Sequence, residues 1–155
     1  GMPVGAYAGK KEIMKKVSPL GGVYQGGTLS GNPVSMKLGL NTITYLKEHP
    51  ETYDALEKKA QMLEEEWTNS ARRKGVPIAV NRVRGMMSVF MTDGKVKESK
   101  DVDRCEEKRY EHLFKGMLKE GILFPPSQYE GLFLSDAHTM EDVEKTIRAF
   151  EKVVL

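Results

Sequence analysis

Beyond Pro50 the chain switches between two hydrophobic periods, and that switching sets the kind of fold open to it. In "ETYDALEKKAQMLEEEWTNSARRKG", residues 51–75, Leu56, Ala60, Leu63 and Trp67 step by three or four, which marks one face of a long helix, and Gly75 reads as its stop. After Pro77 the period shortens. "IAVNRV" and "MMSVFMT" read as two strands turning at Arg84-Gly85, a hairpin. "DGKVKESKDVD" reads as a polar loop, and "VDRCEEKRYEHLFKGMLKEG" as a third long helix closed by Gly121. "ILF" and "LFLS" read as brief strands around the turn "PPSQYEG". "TMEDVEKTIRAFEKVVL" is a last helix, with Thr139 as its cap and Asp142 completing a capping box. Helix, strand, strand, helix, strand, strand, helix implies an α+β layer on a small, mainly antiparallel sheet.

The first 50 residues have another character. "PVGAYA" reads as a short buried strand, and "KKEIMKKV" as one or two helical turns ended by Pro19. "YQGGTLSGNP" follows, with Pro33 suited to the first turn of a helix and Ser30 or Asn32 to its cap. That helix carries Met36, Leu40, Ile43 and Leu46 at helical spacing and breaks at His49-Pro50.

The net charge is only +2, and lysines alternate with acids, so a basic stripe for nucleic acid is not expected. No apolar run approaches the roughly 18 residues of a membrane helix, so no membrane partner is expected either. A single cysteine, Cys105, excludes an internal disulfide and fits a reducing, cytoplasmic setting, where it acts as a small hydrophobe. His49 and His112 stand alone on helices and no spacing resembles a metal site. His138 lies near Asp136, but no nucleophile accompanies them.

Two stretches carry chemistry. In "YQGGTLSGNP" the glycines allow backbone N–H groups to converge, Thr28 and Ser30 add hydroxyls, and a helix N-terminus follows. Those features suit a phosphate, and they equally suit a plain turn. The loop is not a P-loop, because no lysine follows in the required place. In "FPPSQYEGLFLSDAHT" two prolines fix the backbone from which Ser127, Gln128, Tyr129 and Glu130 project, either into a pocket or into solvent.

Taken together and in this order, "GMPVGAYAGKKEIM", "YQGGTLSGNP" and "PPSQYEGLFLSDAHT" resemble the glutamate-1-semialdehyde 2,1-aminomutase family, within the class III aminotransferase-like group of fold type I pyridoxal phosphate (PLP) enzymes. The likeness runs through the whole chain and covers the C-terminal part of such an enzyme. Typical class III aminotransferases carry a loop like S-T-F-G-G-N-P where this chain has "GGTLSGNP". They also tend to carry an arginine and a Pro-Pro-Leu where it has "SQYEGLFLSDAHT". Both differences favour the mutase form.

The resemblance implies an α+β fold. Residues 49–155 would be the C-terminal small domain, helices packed on a small mainly antiparallel sheet, and residues 1–48 a remnant of the large α/β PLP-binding domain with the connecting helix. It implies that Thr28 donates to the cofactor phosphate across a homodimer interface, with the Gly27 N–H beside it, and that Glu130 lies near the cofactor and its lysine as a catalytic-site residue. Ser127 shares that motif and shapes the turn. The intact parent would use PLP and its amine form PMP to isomerise glutamate-1-semialdehyde to 5-aminolevulinate in tetrapyrrole biosynthesis. The family's Schiff-base lysine precedes the G-x-P-V-G-A-Y motif. It is therefore expected outside these residues, because Lys10 and Lys11 fall on the wrong side of that motif. The chain alone is then expected to be inactive and without bound cofactor. It is also expected either to pair its "PVGAYA" segment with another copy or to pack that segment irregularly. Three alternatives remain: a truncated class III aminotransferase of other specificity, a non-catalytic assembly module, and a free-standing phosphate-binding protein.

Overall fold

A computed structural model describes residues 2–155. The chain divides into two compact units, one ending at Pro50 and the other spanning Glu51–Leu155.

The first unit holds α1 (Lys11–Met14) and α2 (Pro33–Glu48). The start of α2 follows its sequence. Pro33 occupies the first turn, and the Asn32 side chain accepts hydrogen bonds from the N–H groups of Val34 at 3.0 Å and Ser35 at 3.1 Å. The expected strand "PVGAYA" is absent. These residues are irregular and exposed, Val4 at 46% and Tyr7 at 59%. A strand needs a neighbour for its N–H and C=O groups, and none pairs with this segment among the described residues. Val4 instead lies against Gly39 of α2, close enough that a Cβ there would sit 2.9 Å from its Cγ1. Met36, Leu40 and Ile43 are exposed, whereas Ser35 and Gly39 are buried.

The second unit holds α3 (Glu51–Arg73), β1 (Ala79–Val83), β2 (Met86–Phe90), α4 (Ser99–Val102), α5 (Glu107–Lys119), β3 (Leu132–Phe133) and α6 (Met140–Val153). The sheet is antiparallel throughout, in the order β1-β2-β3. The hairpin closes at Val83↔Met86, so Arg84 and Gly85 alone make its turn. That tight turn forces Arg84 to φ +53°, a conformation usually left to glycine or asparagine. Gly75 and Gly121 end α3 and α5 with φ of +67° and +77°, as their positions in the sequence require. "ILF" is not a strand, and "LFLS" contributes only Leu132 and Phe133 to the sheet. α5 starts at Glu107 rather than Val102, and part of the stretch read as a polar loop forms α4, with Glu98 at its N-cap and the Asp101 carboxylate accepting from the Glu98 N–H at 3.2 Å.

The core lies between α3, α5, α6 and one face of the sheet. Ala60, Leu63 and Trp67 are buried on α3, as the periodicity requires. The Trp67 ring stacks on Phe150 at 5.0 Å and tilts against Phe124 at 5.5 Å. A smaller cluster of Phe90, Val96, Val102 and Cys105 sits apart from it. Burial pushes the Cys105 thiol pKa up, with a further rise from Asp101, and its Sγ lies 3.4 Å from the Asp101 carbonyl. On the sheet, Arg82 meets Glu57 at 2.5 Å and Glu64 at 2.7 Å, which together hold its pKa up.

The capping box of α6 is complete. The Thr139 hydroxyl accepts from the Asp142 N–H at 3.2 Å, and the Asp142 carboxylate accepts from the Thr139 N–H at 2.8 Å. Hydrogen bonds from the Thr139 hydroxyl and backbone hold the Asp142 pKa below its usual value. The ionised carboxylate therefore supports the fold above about pH 4, and that support is lost as pH falls through the lowered folded-state value. Thr139→Ala is expected to lower stability by about 1 kcal/mol in thermal unfolding followed by circular dichroism. Asp142→Asn is expected to make the remaining stability less sensitive to acid below that pH. An unchanged acid limb in Asp142→Asn counts against the cap as its source.

Candidate functional site

The glycine-rich loop of the first unit is built by two overlapping turns. Ser30 N–H donates to the Gly27 carbonyl at 3.0 Å and Asn32 N–H to the Leu29 carbonyl at 3.1 Å, with Gly31 at φ +71°. These bonds occupy acceptors of the loop and leave donors over. The N–H groups of Gly27 and Thr28 and the Thr28 hydroxyl have no acceptor among the described residues, and both residues are exposed. Unpaired donors on a glycine-bearing turn are free to meet an anion. The helix N-terminus, by contrast, is already satisfied by Asn32, so α2 itself offers little beyond its dipole. An open cleft of about 940 Å³ runs alongside, walled by Val4, Ala6, Gln25, Gly27 and Ser30; Thr28 is not on its wall.

The second stretch lies in the other unit. Tyr110 of α5 donates its hydroxyl to the Pro125 carbonyl at 2.9 Å and so pins the two prolines. Burial, and secondarily the Glu130 carboxylate, pushes the Tyr110 pKa up to about 12, so the phenol remains a donor at neutral pH. Ser127 is engaged inside the turn. Its hydroxyl accepts from the Tyr129 N–H at 3.2 Å and its carbonyl from the Glu130 N–H at 3.1 Å. Tyr129 reaches Asp103 at 2.8 Å, which raises its pKa. Gln128, expected to project from the turn, is buried, with its amide toward the Val102 carbonyl at 3.4 Å and its side-chain oxygen unpartnered. Glu130 is exposed at the end of this rigid turn.

The turn thus presents Glu130, and the loop of the first unit presents Gly27 and Thr28. His138 is held in a local turn, where its Nδ1 accepts from the Ser135 N–H at 3.0 Å and lies 2.9 Å from the Ser135 hydroxyl. Among the described residues no cluster of His, Cys, Asp or Glu suits a metal, and no helix is long and apolar enough to cross a membrane. Tyr110 was not singled out by sequence. Its spacing from Leu113 and Met117 marks it as a core residue, and nothing in that spacing shows that its hydroxyl anchors the turn.

Residues 1–154 match the family described as Aminotransferase class-III. The chain is 48% identical, over its whole length, to a glutamate-1-semialdehyde 2,1-aminomutase of Clostridium botulinum (strain Eklund 17B / Type B), of which it covers 36%. It is 50% identical over 96% of its length to a protein of that name from Thermus thermophilus, of which it covers 35%. The chain therefore spans about a third of the length of the curated relatives it matches. Among solved structures, an omega-transaminase from Sphaerobacter thermophilus superposes with a TM-score of 0.75 at 24% identity, covering 94% of this chain and 34% of its own. A glutamate-1-semialdehyde-aminomutase (K286A) from Pseudomonas aeruginosa PAO1 in complex with PMP superposes with a TM-score of 0.60 at 18% identity, over 68% of this chain and 24% of its own. At these identities the structures establish the fold alone.

Proposed function

We propose, because this chain belongs to the class III aminotransferase family, that it is the C-terminal part of a glutamate-1-semialdehyde 2,1-aminomutase, an isomerase that forms 5-aminolevulinate. The observation that carries this reading is the end-to-end likeness, at 48% identity, to a protein of that name. The unit ending at Pro50 is read as part of the large cofactor-binding domain and its connecting helix, and the Glu51–Leu155 unit as the small domain.

PLP, when bound, supplies an electron sink and a carrier for the amino group. The residues present fit its phosphate end: the Gly27 and Thr28 amides and the Thr28 hydroxyl are unpaired donors on an exposed turn. On the family resemblance, Thr28 with Gly27 is read as serving the phosphate in a second copy of the chain, in a homodimer with a shared site. Glu130 brings a carboxylate on a turn that Ser127 and Tyr110 hold rigid, and it orients polar groups beside the cofactor. Lys10 and Lys11 follow the G-x-P-V-G-A-Y motif, so neither matches the lysine that holds the cofactor in the family. On the resemblance, the lysine that holds the cofactor is not among these 155 residues, and they alone are read as inactive.

In the whole enzyme, Thr28→Val is expected to weaken cofactor binding by about 2 kcal/mol, the scale of a hydrogen bond to a charged group. PLP titration followed by absorbance measures it, and an unchanged affinity removes Thr28 from the phosphate site. Turnover of glutamate-1-semialdehyde by the whole enzyme tests the assignment. Transamination of other amino acids without that turnover assigns it instead to an aminotransferase of different specificity. Turnover by these 155 residues alone overturns the account of their inactivity.

A further inference from the structure

The turn that carries Glu130 is moored to an element that the chemistry above does not use. No hydrogen bond or ion pair holds the Glu130 carboxylate among the described residues, so its direction is set by the backbone on either side. After it comes Gly131, which has no side chain, and the sheet takes hold only at Leu132, opposite Met87. Before it comes Tyr129, whose hydroxyl donates to Asp103 Oδ1 at 2.8 Å. Gln128, next in line, is buried and turns its amide toward the Val102 carbonyl at 3.4 Å. Two successive side chains thus reach the same corner, the end of α4.

That corner is itself fixed. Val102 is buried with Phe90, Val96 and Cys105, and its carbonyl accepts the Cys105 N–H at 3.0 Å. The Glu106 N–H donates to the Met91 carbonyl at 3.0 Å, which ties the following residues to the end of the hairpin. The other supports of the turn act elsewhere. Tyr110 holds its start at Pro125, and the Ser127 bonds lie within the turn and fix its shape. A turn held at its start can still swing at its end, and the Tyr129–Asp103 bond removes that freedom. Both side chains are exposed, where a hydrogen bond competes with water and adds little net stability. What it supplies is direction, to which a reacting group is far more sensitive. We infer, resting on the role read for Glu130 above, that Tyr129 is a positioning residue: bonded to Asp103 at the end of α4, it fixes the aim of the Glu130 carboxylate.

The test measures kcat and KM for glutamate-1-semialdehyde in the whole enzyme, with thermal midpoints alongside. Tyr129→Phe keeps the ring and removes the hydroxyl. It is expected to lower kcat about tenfold while moving KM less than about twofold, the pattern of a misdirected group rather than of lost substrate binding. Its thermal midpoint is expected to move less than about 2 °C. Asp103→Ala is expected to match it, and Asp103→Asn, whose amide oxygen still accepts, to keep most of the rate. Combining Tyr129→Phe with Asp103→Ala is expected to cost no more than either alone. Glu130→Gln is expected to lose activity by itself, and adding Tyr129→Phe to it to cost less than about twofold further. A parental kcat in Tyr129→Phe, or an undiminished further loss on the Glu130→Gln background, overturns the positioning role and leaves Glu130 in the site. A parental kcat in Glu130→Gln removes Glu130 from the site, and the role of Tyr129 falls with it. A loss of rate that tracks a lowered thermal midpoint makes the bond a structural one and overturns the inference. Should Tyr129→Phe not fold, the contrast between Asp103→Ala and Asp103→Asn decides the question.

Discussion

Trp67→Ala is expected to destabilise the small domain by about 3–5 kcal/mol, the cost of removing a large aromatic from a packed core. The residue is 1% exposed and touches both of the aromatics around it, Phe150 at 5.0 Å and Phe124 at 5.5 Å between ring centres. Two helices, α3 and α6, and the segment that follows α5 meet at this point, so no single neighbour can relax into the space left behind. Urea unfolding followed by circular dichroism measures the effect without relying on the lost fluorophore. A loss below about 1 kcal/mol means that the site collapses freely and that the aromatic cluster is not the keystone of the domain. Trp67→Phe separates packing from polarity. It removes volume, which destabilises, and it removes an unpartnered N–H, which offsets part of that loss.

Gly116→Ala sets two effects against each other. Helix propensity alone favours alanine by about 1 kcal/mol. Here α5 runs so close to α6 that a Cβ at residue 116 would sit 2.1 Å from Val153 Cγ1 and 3.1 Å from Val153 Cβ. Valine is branched at Cβ and has little rotamer freedom within a helix, so it cannot swing aside cheaply. Overpacking of this kind costs about 1–3 kcal/mol, and the 2.1 Å approach puts the variant toward the upper end, near about 2 kcal/mol net. Adding Val153→Ala to Gly116→Ala is expected to recover part of that loss, a coupling that thermal unfolding of the parent, the two single variants and the double variant reads directly. A Gly116→Ala variant more stable than the parent means that the two helices separate without penalty.

The elements visible in the sequence are those whose determinants are local. The Leu56–Trp67 face, the Thr139–Asp142 box, the Pro33 start and the glycine stops each depend on residues within a turn or two, and the structure keeps them. Elements that depend on a distant neighbour are misread. "PVGAYA" has the composition of a strand, yet finds no strand to pair with among the described residues. "ILF" has strand composition too, yet no strand pairs with it among the described residues. Gln128 looks like a surface amide in a polar turn, but the Tyr110–Pro125 bond draws that turn inward. Thr28 was visible as part of a pattern of glycines and hydroxyls. That its donors stay unpaired was not, because it depends on the folded turn, whose bonds are donated by Ser30 and Asn32 and not by Thr28.

Cys105 gives the small domain an internal clock. Its thiol is 8% exposed, its pKa is raised by burial, and it belongs to the cluster of Phe90, Val96 and Val102 rather than to the tryptophan core. A thiol reagent cannot react with it until that cluster opens. As the single cysteine of the chain, its labelling rate reports exposure of this cluster, whether by local opening or by global unfolding. Comparing that rate with global unfolding tells whether the two clusters form one cooperative unit or whether the region around α4 breathes on its own.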